Sequence, residues 1–435
     1  MIDEPSLLAA ILADPDNDRL RLAYADWLEE QDQRDRGRLI RVQIELAHKP
    51  DNANDTHVLR AEEEQLEALC ENALPRLDGI TWGGFERGLV RTVYAATAAA
   101  FYRHASVVGD IGSVDRVKFD SFDGFDMLSR VPALARFTEL NVYDDPHWGL
   151  RVGDREHRFN DDLQAVLASP HCPRLRSLQL NTCQLGPRGA KALADCPQLT
   201  SLVHLCLLDN YIGDEGMAAL AASPYMAALR IDLNNIGPAG IEALAASVSL
   251  GGLEELFLGE DWPHPIGPAT GLTLGRSPYL THLRELSLHD DIGALGVEGL
   301  AQGLNLASLT YLDIRCDIGP DGARALAASR YLRQMKSLRL YGCWIGDEGA
   351  KALARSPLLA TLEEMDLTYN NLTDVGAQAL ANSPYLERLN PGGLAIESGN
   401  HLTANGMRAL QERFSDKFSA GPSIAATEIP GDGQD

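Results

Sequence analysis

The chain has 435 residues and a formal net charge of −24, from 38 basic and 62 acidic side chains. Nucleic-acid backbones and anionic membrane surfaces are bound by clustered lysine and arginine, so this balance disfavours both as partners. Seven cysteines lack a paired framework, and the acidic start Met1-Ile-Asp-Glu-Pro is unlike a signal peptide. Together these features predict a reducing cytoplasm and no membrane association.

Residues 1–48 do not repeat, and their apolar spacing predicts three helices. Asp3 can cap the first, the second runs from about Asp18 to Glu30, and the third from about Arg36 to Ala47. A charged helix with a weak apolar stripe that includes Leu69 is predicted within residues 51–78. We therefore expect a small helical module at 1–48 and a helical linker at 49–80.

A frame spelled M-x-x-L-x-L-x-x-C-x-I-G begins at Met335. It recurs at Leu175, Leu202, Met226, Leu253, Leu283, Leu309 and Leu362. A period of about 24 to 30 residues with this spelling is typical of a leucine-rich repeat solenoid. Degenerate copies, expected to cap the array, begin at Phe85, at Val114-x-x-Val117-x-Phe119 and at Phe137-x-x-Leu140-x-Val142.

Each copy predicts one strand and one short helix. In the copy at Leu202, Leu205 and Leu207 face inward from a strand, and Asn210 should be buried with its amide bonded to neighbouring backbone. Cys183 and Cys343 occupy the same position, here called the slot, in other copies. Strands stack about 4.8 Å apart but helices need about 10 Å, which predicts a curved α/β solenoid. Its parallel sheet should lie on the concave face and its helices on the convex face. The solenoid should span residues 81–415 and precede a disordered tail at 416–435.

Two resemblances accompany these patterns. The run Tyr24-Ala25-Asp26-Trp27-Leu28-Glu29-Glu30 resembles the repeat-companion domain found at the start of many bacterial repeat proteins, which implies association with repeat arrays and no assigned chemistry. The repeats resemble the ribonuclease-inhibitor class, and their Gly-Ala-x-Ala-Leu-Ala helices look like the GALA-type repeats of bacterial effectors.

The concave face carries the candidate binding residues, because side chains between the buried strand leucines point out of it. Aromatic and arginine side chains are enriched at interface hot spots. The predicted partner-binding set is Arg230, Phe257, Tyr311, Asp313, Arg315, Arg339, Tyr341 and Asp366. One alternative stays open, in which this face is an ordinary solvated sheet and any partner uses the helical module or the inserted loops. These loops, at 144–158 and 259–265, bear Trp148 and Trp262.

No catalytic or metal-binding motif is apparent. Cys172 and Cys196, with His171 beside the first, are each followed by proline at equivalent points of adjacent copies, but packing explains them better than a metal. We therefore predict a monomeric, non-enzymatic scaffold that needs no cofactor or metal and binds a protein or peptide. The alternatives are a ubiquitin-ligase adaptor, implied by the effector resemblance, and an inhibitor of a basic protein such as a nuclease.

Overall fold

The computed structural model describes residues 3–49, 56–143, 152–172, 174–224, 234–258 and 266–415. The chain divides into two compact units, the first comprising residues 1–183 and 196–202 and the second comprising residues 184–195 and 203–435. The predicted tail, Arg230, Trp148 and Trp262 lie outside the described residues.

The first unit begins with the three predicted helices, α1 (Glu4–Ala13), α2 (Asp18–Glu30) and α3 (Arg34–Ala47). Asp3 caps α1 as predicted, because its carboxylate accepts a hydrogen bond from the Ser6 amide at 3.0 Å. The next helix, α4 (Thr56–Asn72), lies within the predicted range, of which residues 51–55 are outside the described residues. Leu69, expected on its apolar stripe, is exposed.

The described strands of the first unit build a mainly parallel sheet and a separate two-stranded hairpin. They are β1 (Ile80–Trp82), β2 (Phe85–Glu86), β3 (Leu89–Val90), β4 (Thr92–Ala95), β5 (Arg116–Phe119), β6 (Glu139–Tyr143) and β7 (Ser177–Asn181). β4 to β7 pair in parallel and in chain order, β1 pairs antiparallel to β4, and β2 and β3 form a hairpin. Val117 lies opposite Leu140, which confirms the register predicted for the degenerate copies.

Helices complete the first unit. They are α5 (Ala98–Asp110) and α6 (Val152–Leu167), with 3-10 helices at Phe125–Arg130, Pro132–Arg136 and Pro197–Ser201. Helix α6 begins inside the insertion predicted at 144–158. Its residues Leu163 and Val166 are buried, which gives the helix an apolar face that the strand pattern of the repeats does not predict.

The helical module packs directly against the hairpin. Leu89 of β3 joins the apolar cluster that contains Tyr24, Leu28 and Ile40. Gly88 has a φ of +81°, and a Cβ atom there would lie 2.1 Å from the Ile40 side chain. Glycine is therefore required at this close approach.

The second unit alternates strands and helices. Its elements are α7 (Gly186–Ala194), β8 (His204–Cys206), α8 (Gly213–Ala222), α9 (Pro238–Ala245), β9 (Glu255–Leu258), α10 (Ala269–Gly275), β10 (Glu285–Leu288), α11 (Gly293–Ala301), β11 (Tyr311–Ile314), α12 (Gly319–Ala328), β12 (Ser337–Arg339), α13 (Gly346–Ala354), β13 (Glu364–Asp366), α14 (Asp374–Ala381), β14 (Leu394–Ala395) and α15 (Ala404–Phe414). 3-10 helices occupy Ser249–Gly252, Leu304–Leu306 and Pro357–Thr361. β9 to β14 form a parallel sheet in chain order, and each helix packs on the next. The fold class is therefore the α/β solenoid that the sequence predicts. Strand β14 lies beyond Leu389, where the sequence repeat fades, and was not predicted.

The slot behaves as predicted. Asn370 is fully buried, donates from its amide nitrogen to the Leu340 and Thr368 carbonyl oxygens, and accepts at its amide oxygen from the Ile345 amide. The buried Cys343 thiol donates to the Ile314 carbonyl oxygen at 3.0 Å. These bonds satisfy backbone groups that the short strands leave without a ladder partner.

Two further links between repeats were not predicted. The hydroxyl groups of the serines that end the helices donate to a carbonyl oxygen of the preceding helix, as in Ser383 to Ala354 at 2.7 Å. The same bond is made by Ser223, Ser247, Ser277, Ser329 and Ser356. In addition, Asp347 at the start of α13 caps the next helix, because its carboxylate accepts from the amides of Thr373 and Gly376.

Candidate functional site

The outward side chains of β9 to β13 form one continuous surface, the strand face. Leucine, isoleucine and methionine alternate with them along each strand and enter the core. The strand face consists of Glu255, Phe257, Glu285, Ser287, Tyr311, Asp313, Ser337, Arg339, Glu364 and Asp366. The register of the parallel strands places Ser287, Asp313, Arg339 and Asp366 side by side.

The charged members of this row are buried although they point away from the core. Asp313 is 1% exposed, and Arg339 and Asp366 are each 6% exposed. Arg339 lies between the two carboxylates on neighbouring strands, at a spacing of about 4.8 Å per strand. Alternating charge along the row therefore keeps a desolvated cation between two desolvated anions.

Three neighbouring side chains hold the Asp313 carboxylate. The Arg315 guanidinium approaches to 3.0 Å, the His289 imidazole to 3.6 Å, and the Tyr311 hydroxyl donates at 3.4 Å. Burial raises the pKa of Asp313, but hydrogen bonds from His289 and Arg315 outweigh burial and hold that pKa below its ordinary value. The carboxylate is therefore ionised and fixed in position.

Burial and the neighbouring Asp313 carboxylate act together on Tyr311. They raise the pKa of Tyr311 to about 12, so the phenol keeps its proton at neutral pH. Its ring also lies 5.4 Å from the Arg339 guanidinium. Tyr311 is therefore a neutral donor and a packing surface for the buried cation.

Ser287, His289 and Asp313 carry the residue types of a nucleophilic triad, but their geometry differs. His289 Nε2 lies 2.8 Å from Ser287 Oγ and is the same atom that lies 3.6 Å from Asp313. A triad needs the carboxylate on Nδ1 and the hydroxyl on Nε2, so that the carboxylate orients the imidazole as a base. Here one nitrogen faces both groups, and the serine is buried. The cluster is arranged as an ion network around Asp313 and not as a nucleophile.

At the edge of the strand face the side chains become accessible. Arg315 is exposed where β11 ends, and Tyr341 is exposed just beyond β12. The ring of Tyr341 packs on Tyr369 with centroids 5.0 Å apart, and Trp344 follows in the same turn as Tyr341. We call Tyr341, Trp344 and Tyr369 the aromatic rim.

Neither the backbone conformation nor burial explains why two positions of the aromatic rim carry large aromatic side chains. Trp344 follows the slot residue Cys343 with a φ of 53°, and Tyr369 precedes Asn370 with a φ of 58°. Left-handed positions favour glycine, asparagine and aspartate over large aromatic residues. Trp344 is 61% exposed and Tyr369 50% exposed, so both rings are available to an external molecule.

The structure brings most of the predicted binding residues together. Tyr311, Asp313, Arg339 and Asp366 lie on adjacent strands, and Phe257 is half-buried on β9. Arg315 and Tyr341 lie just beyond the ends of β11 and β12. Arg230 lies outside the described residues. Sequence reasoning missed Trp344 and Tyr369, although large aromatic residues next to the slot are a signal that could have identified them.

The thiols of Cys172 and Cys196 hydrogen-bond each other within the first unit. This contact raises the pKa of Cys172 and lowers the pKa of Cys196 to about 7. Their positions are not equivalent, contrary to the prediction. Cys196 directly precedes the 3-10 helix Pro197–Ser201, and the residue at its place in the preceding repeat is Ser169, three residues before Cys172. Across the described ranges, no three histidine, cysteine or acidic side chains are grouped to hold a metal.

A family model described as "Leucine Rich repeat" matches residues 171–194, 198–221, 222–245, 305–327, 332–354 and 359–381. The chain contains leucine-rich repeats. No curated protein matches the chain. Among the helices described, none has the length and apolar character needed to cross a membrane.

Among solved structures, the chain is similar to TLR13 in a crystal structure of its complex with ssRNA13. The identity is 18%, the TM-score is 0.37, and the match covers 68% of this chain and 36% of that chain. The chain thus spans about a third of the length of TLR13. A likeness at this level carries no argument about the ligand of this chain.

Proposed function

We propose that this leucine-rich repeat protein is a non-enzymatic scaffold whose strand face binds a protein or peptide partner. The observation that carries the proposal is the row of buried, alternating charges bordered by accessible aromatic and arginine side chains. Fixed charges beside Tyr311, Arg315 and Tyr341 match the composition of interface hot spots. The rigid parallel strands hold these groups in position before binding, which lowers the entropic cost of association.

The charge of the strand face favours a basic partner. Its acidic residues Glu255, Glu285, Asp313, Glu364 and Asp366 outnumber the cations Arg315 and Arg339. With a chain charge of −24, the long-range field attracts cationic proteins and repels phosphate backbones. We therefore propose a basic protein or peptide segment as the partner, and neither nucleic acid nor membrane.

A second candidate function follows from the same charge. A scaffold that covers a cationic protein could inhibit that protein, as expected for an acidic binder of a basic nuclease. This candidate differs from a passive scaffold in one measurable respect, since the activity of the captured partner would fall on binding.

We also propose the domain boundaries, the repeat type, the location and the oligomeric state that the sequence predicts. These are the repeat-companion domain at 1–48, the linker at 49–80, the solenoid at 81–415, the tail at 416–435, a bacterial ribonuclease-inhibitor-like or GALA-type repeat, a cytoplasmic location and a monomeric state. The helical module shares an apolar cluster with Leu89 of the hairpin, which lies beyond residue 48.

The test is retention of partners by the immobilised full chain, with identification by mass spectrometry. Arg315→Glu combined with Tyr341→Ala changes two accessible residues at the edge of the strand face. Arg330→Glu is the charge-matched control, because Arg330 is exposed in the turn after α12. Arg339, which the sequence predicts as a binding residue, is unsuitable for such a test. A glutamate at this buried position would face Asp313 and Asp366 and destabilise the sheet.

The proposal expects a protein that the parent chain and Arg330→Glu retain and that the double variant loses. Equal retention by all three chains would contradict binding at the strand face. Loss of retention at raised salt would support the basic character of the partner.

A further inference from the structure

Two of the seven cysteines face each other in the first unit, away from the strand face. Cys172 follows α6, and Cys196 lies between α7 and β8, in the segment 196–202 that belongs to the first unit. The Cys172 thiol donates a hydrogen bond to the Cys196 sulfur. Two thiols in contact satisfy the main geometric requirement of a disulfide, which is that the two side chains point at each other.

The Cys196 sulfur is an acceptor for several donors at once. The backbone amides of Gln198 and Leu199 donate to it in addition to the Cys172 thiol. These donors, with Cys172 the strongest, outweigh burial and lower the pKa of Cys196 to about 7. A large share of Cys196 is therefore thiolate at neutral pH, and the thiolate is the form of cysteine that oxidants attack.

Other buried cysteines of the chain are held differently. The Cys343 thiol donates to the Ile314 carbonyl oxygen at 3.0 Å, and the Cys183 thiol donates to the Asn181 carbonyl oxygen at 3.3 Å. Burial raises the pKa of Cys343 well above its ordinary value and raises the pKa of Cys316 to about 11. A buried thiol that stays protonated is unreactive and fills space. The hydrogen-bonded pair thus has a chemistry that packing does not require.

Solvent reaches the pair from the side of Cys172. Cys172 is half-buried, whereas Cys196 is 4% exposed. A bulky oxidant such as an oxidised peptide thiol is too large to approach the Cys196 sulfur directly. Hydrogen peroxide is small enough to enter beside Cys172, so the arrangement selects a small oxidant.

We propose that Cys172 and Cys196 form a reversible redox modification site, which hydrogen peroxide converts to a disulfide. The Cys196 thiolate attacks one peroxide oxygen, the O–O bond breaks, and the departing hydroxide takes up the proton that Cys196 had released, which gives water and a sulfenic acid at Cys196. The Cys172 sulfur then attacks the sulfenic sulfur, the S–O bond breaks, and the hydroxyl leaves as water with the Cys172 proton. The two sulfurs lose two electrons, the peroxide is reduced to two water molecules, and a dithiol reductant restores both thiols.

The disulfide would stabilise the fold. It would join two residues of the first unit that lie far apart in the chain, and a crosslink of this kind restricts the unfolded state. The proposal does not depend on the function proposed for the strand face, because neither cysteine belongs to β9 to β13.

The test treats the reduced full chain with a stoichiometric amount of hydrogen peroxide and follows intact mass, peptide mass mapping and thermal melting. Cys172→Ser and Cys196→Ser each remove one sulfur of the pair. Cys206→Ser is the matched control, because Cys206 is a half-buried cysteine on β8 and not part of the pair. Dimedone, which traps sulfenic acids, is added to a second portion of each chain.

We expect the parent chain and Cys206→Ser to lose the mass of two hydrogen atoms and to contain a bond between Cys172 and Cys196, which dithiothreitol reverses. The oxidised parent should melt about 5 °C above the reduced parent. Neither variant of the pair should lose this mass, and Cys172→Ser should carry dimedone on Cys196.

Three results would overturn the proposal. They are a disulfide that still forms in Cys172→Ser, a parent chain in which peroxide joins other cysteines, and a parent chain whose pair stays reduced or gains oxygen without a bond. Cys172→Ser decides the matter even where Cys196→Ser does not fold, because Cys172 is only half-buried.

Discussion

The guanidinium of Arg315 lies 3.0 Å from the carboxylate of Asp313, two residues earlier and on the same edge of the strand face. Asp313 is buried and Arg315 is exposed, so the pair joins the fixed interior of the row to its accessible border. The same carboxylate also lies 3.6 Å from the His289 imidazole and accepts a hydrogen bond from the Tyr311 hydroxyl. Asp313 is therefore the centre of the candidate site and the residue on which its geometry depends.

Asp313→Asn should destabilise the second unit by about 2 kcal/mol, because charged hydrogen bonds to Arg315 and His289 are lost. The pKa of Asp313 is lowered in the folded state, so the stabilisation is complete above the ordinary value of 3.8 and disappears as pH falls through the folded value. Denaturant unfolding of both chains from pH 7 to pH 2.5 checks this. A difference in free energy that stays constant with pH would contradict an ionised, buried Asp313.

Leu256→Asp tests the register of the central strands. Leu256 is fully buried on β9, so an aspartate there would place an unpaired charge in the core at a cost of about 4 kcal/mol. Leu304→Asp is the control, since Leu304 is exposed and should tolerate the change. Thermal melting followed by circular dichroism separates the two, and equal melting temperatures would show that the register is wrong.

Asp347→Ala tests the cap between repeats. The carboxylate of Asp347 accepts from the amides of Thr373 and Gly376, so its removal leaves two amides at the start of α14 without a side-chain partner. The expected loss is about 1 kcal/mol in the free energy of unfolding. Glu348→Ala, which alters only an exposed pair with Lys351, should leave stability nearly unchanged. A Glu348→Ala effect as large as that of Asp347→Ala would argue against the cap.

Trp344→Asn tests whether the aromatic rim is kept for binding and not for folding. Asparagine tolerates the left-handed backbone at this position, as Asn371 does one repeat later with a φ of 56°. Stability should rise by about 0.5 kcal/mol or more, because the strain of a tryptophan at positive φ is relieved. The reverse change, Asn371→Trp, should lower it. Chemical denaturation measures both, and a large loss of stability in Trp344→Asn would assign the ring a structural role.

The local chemistry of each repeat could be predicted from sequence because it depends on short spacings. The burial of Asn370 and Cys343 and the cap by Asp3 follow from residue type and position within a few residues. The same reasoning located the strands at Val117 and Leu140, whose partners face them at the predicted register.

What the sequence did not predict depends on contacts between repeats or between distant segments. The hydroxyl of Ser383 reaches the carbonyl of Ala354 only after two helices are packed side by side. The sequence predicts that Arg339 is an outward-facing binding residue, yet the neighbouring strands place it between two carboxylates and bury it.

The most direct test of the central claim is site-specific photocrosslinking of a retained partner. Tyr341→p-benzoylphenylalanine places a crosslinking group at the border of the strand face, and Tyr279→p-benzoylphenylalanine places the same group on an equally accessible tyrosine beyond α10. The account predicts a crosslinked partner from position 341 and none from position 279. A crosslink from position 279 alone would contradict binding at the strand face.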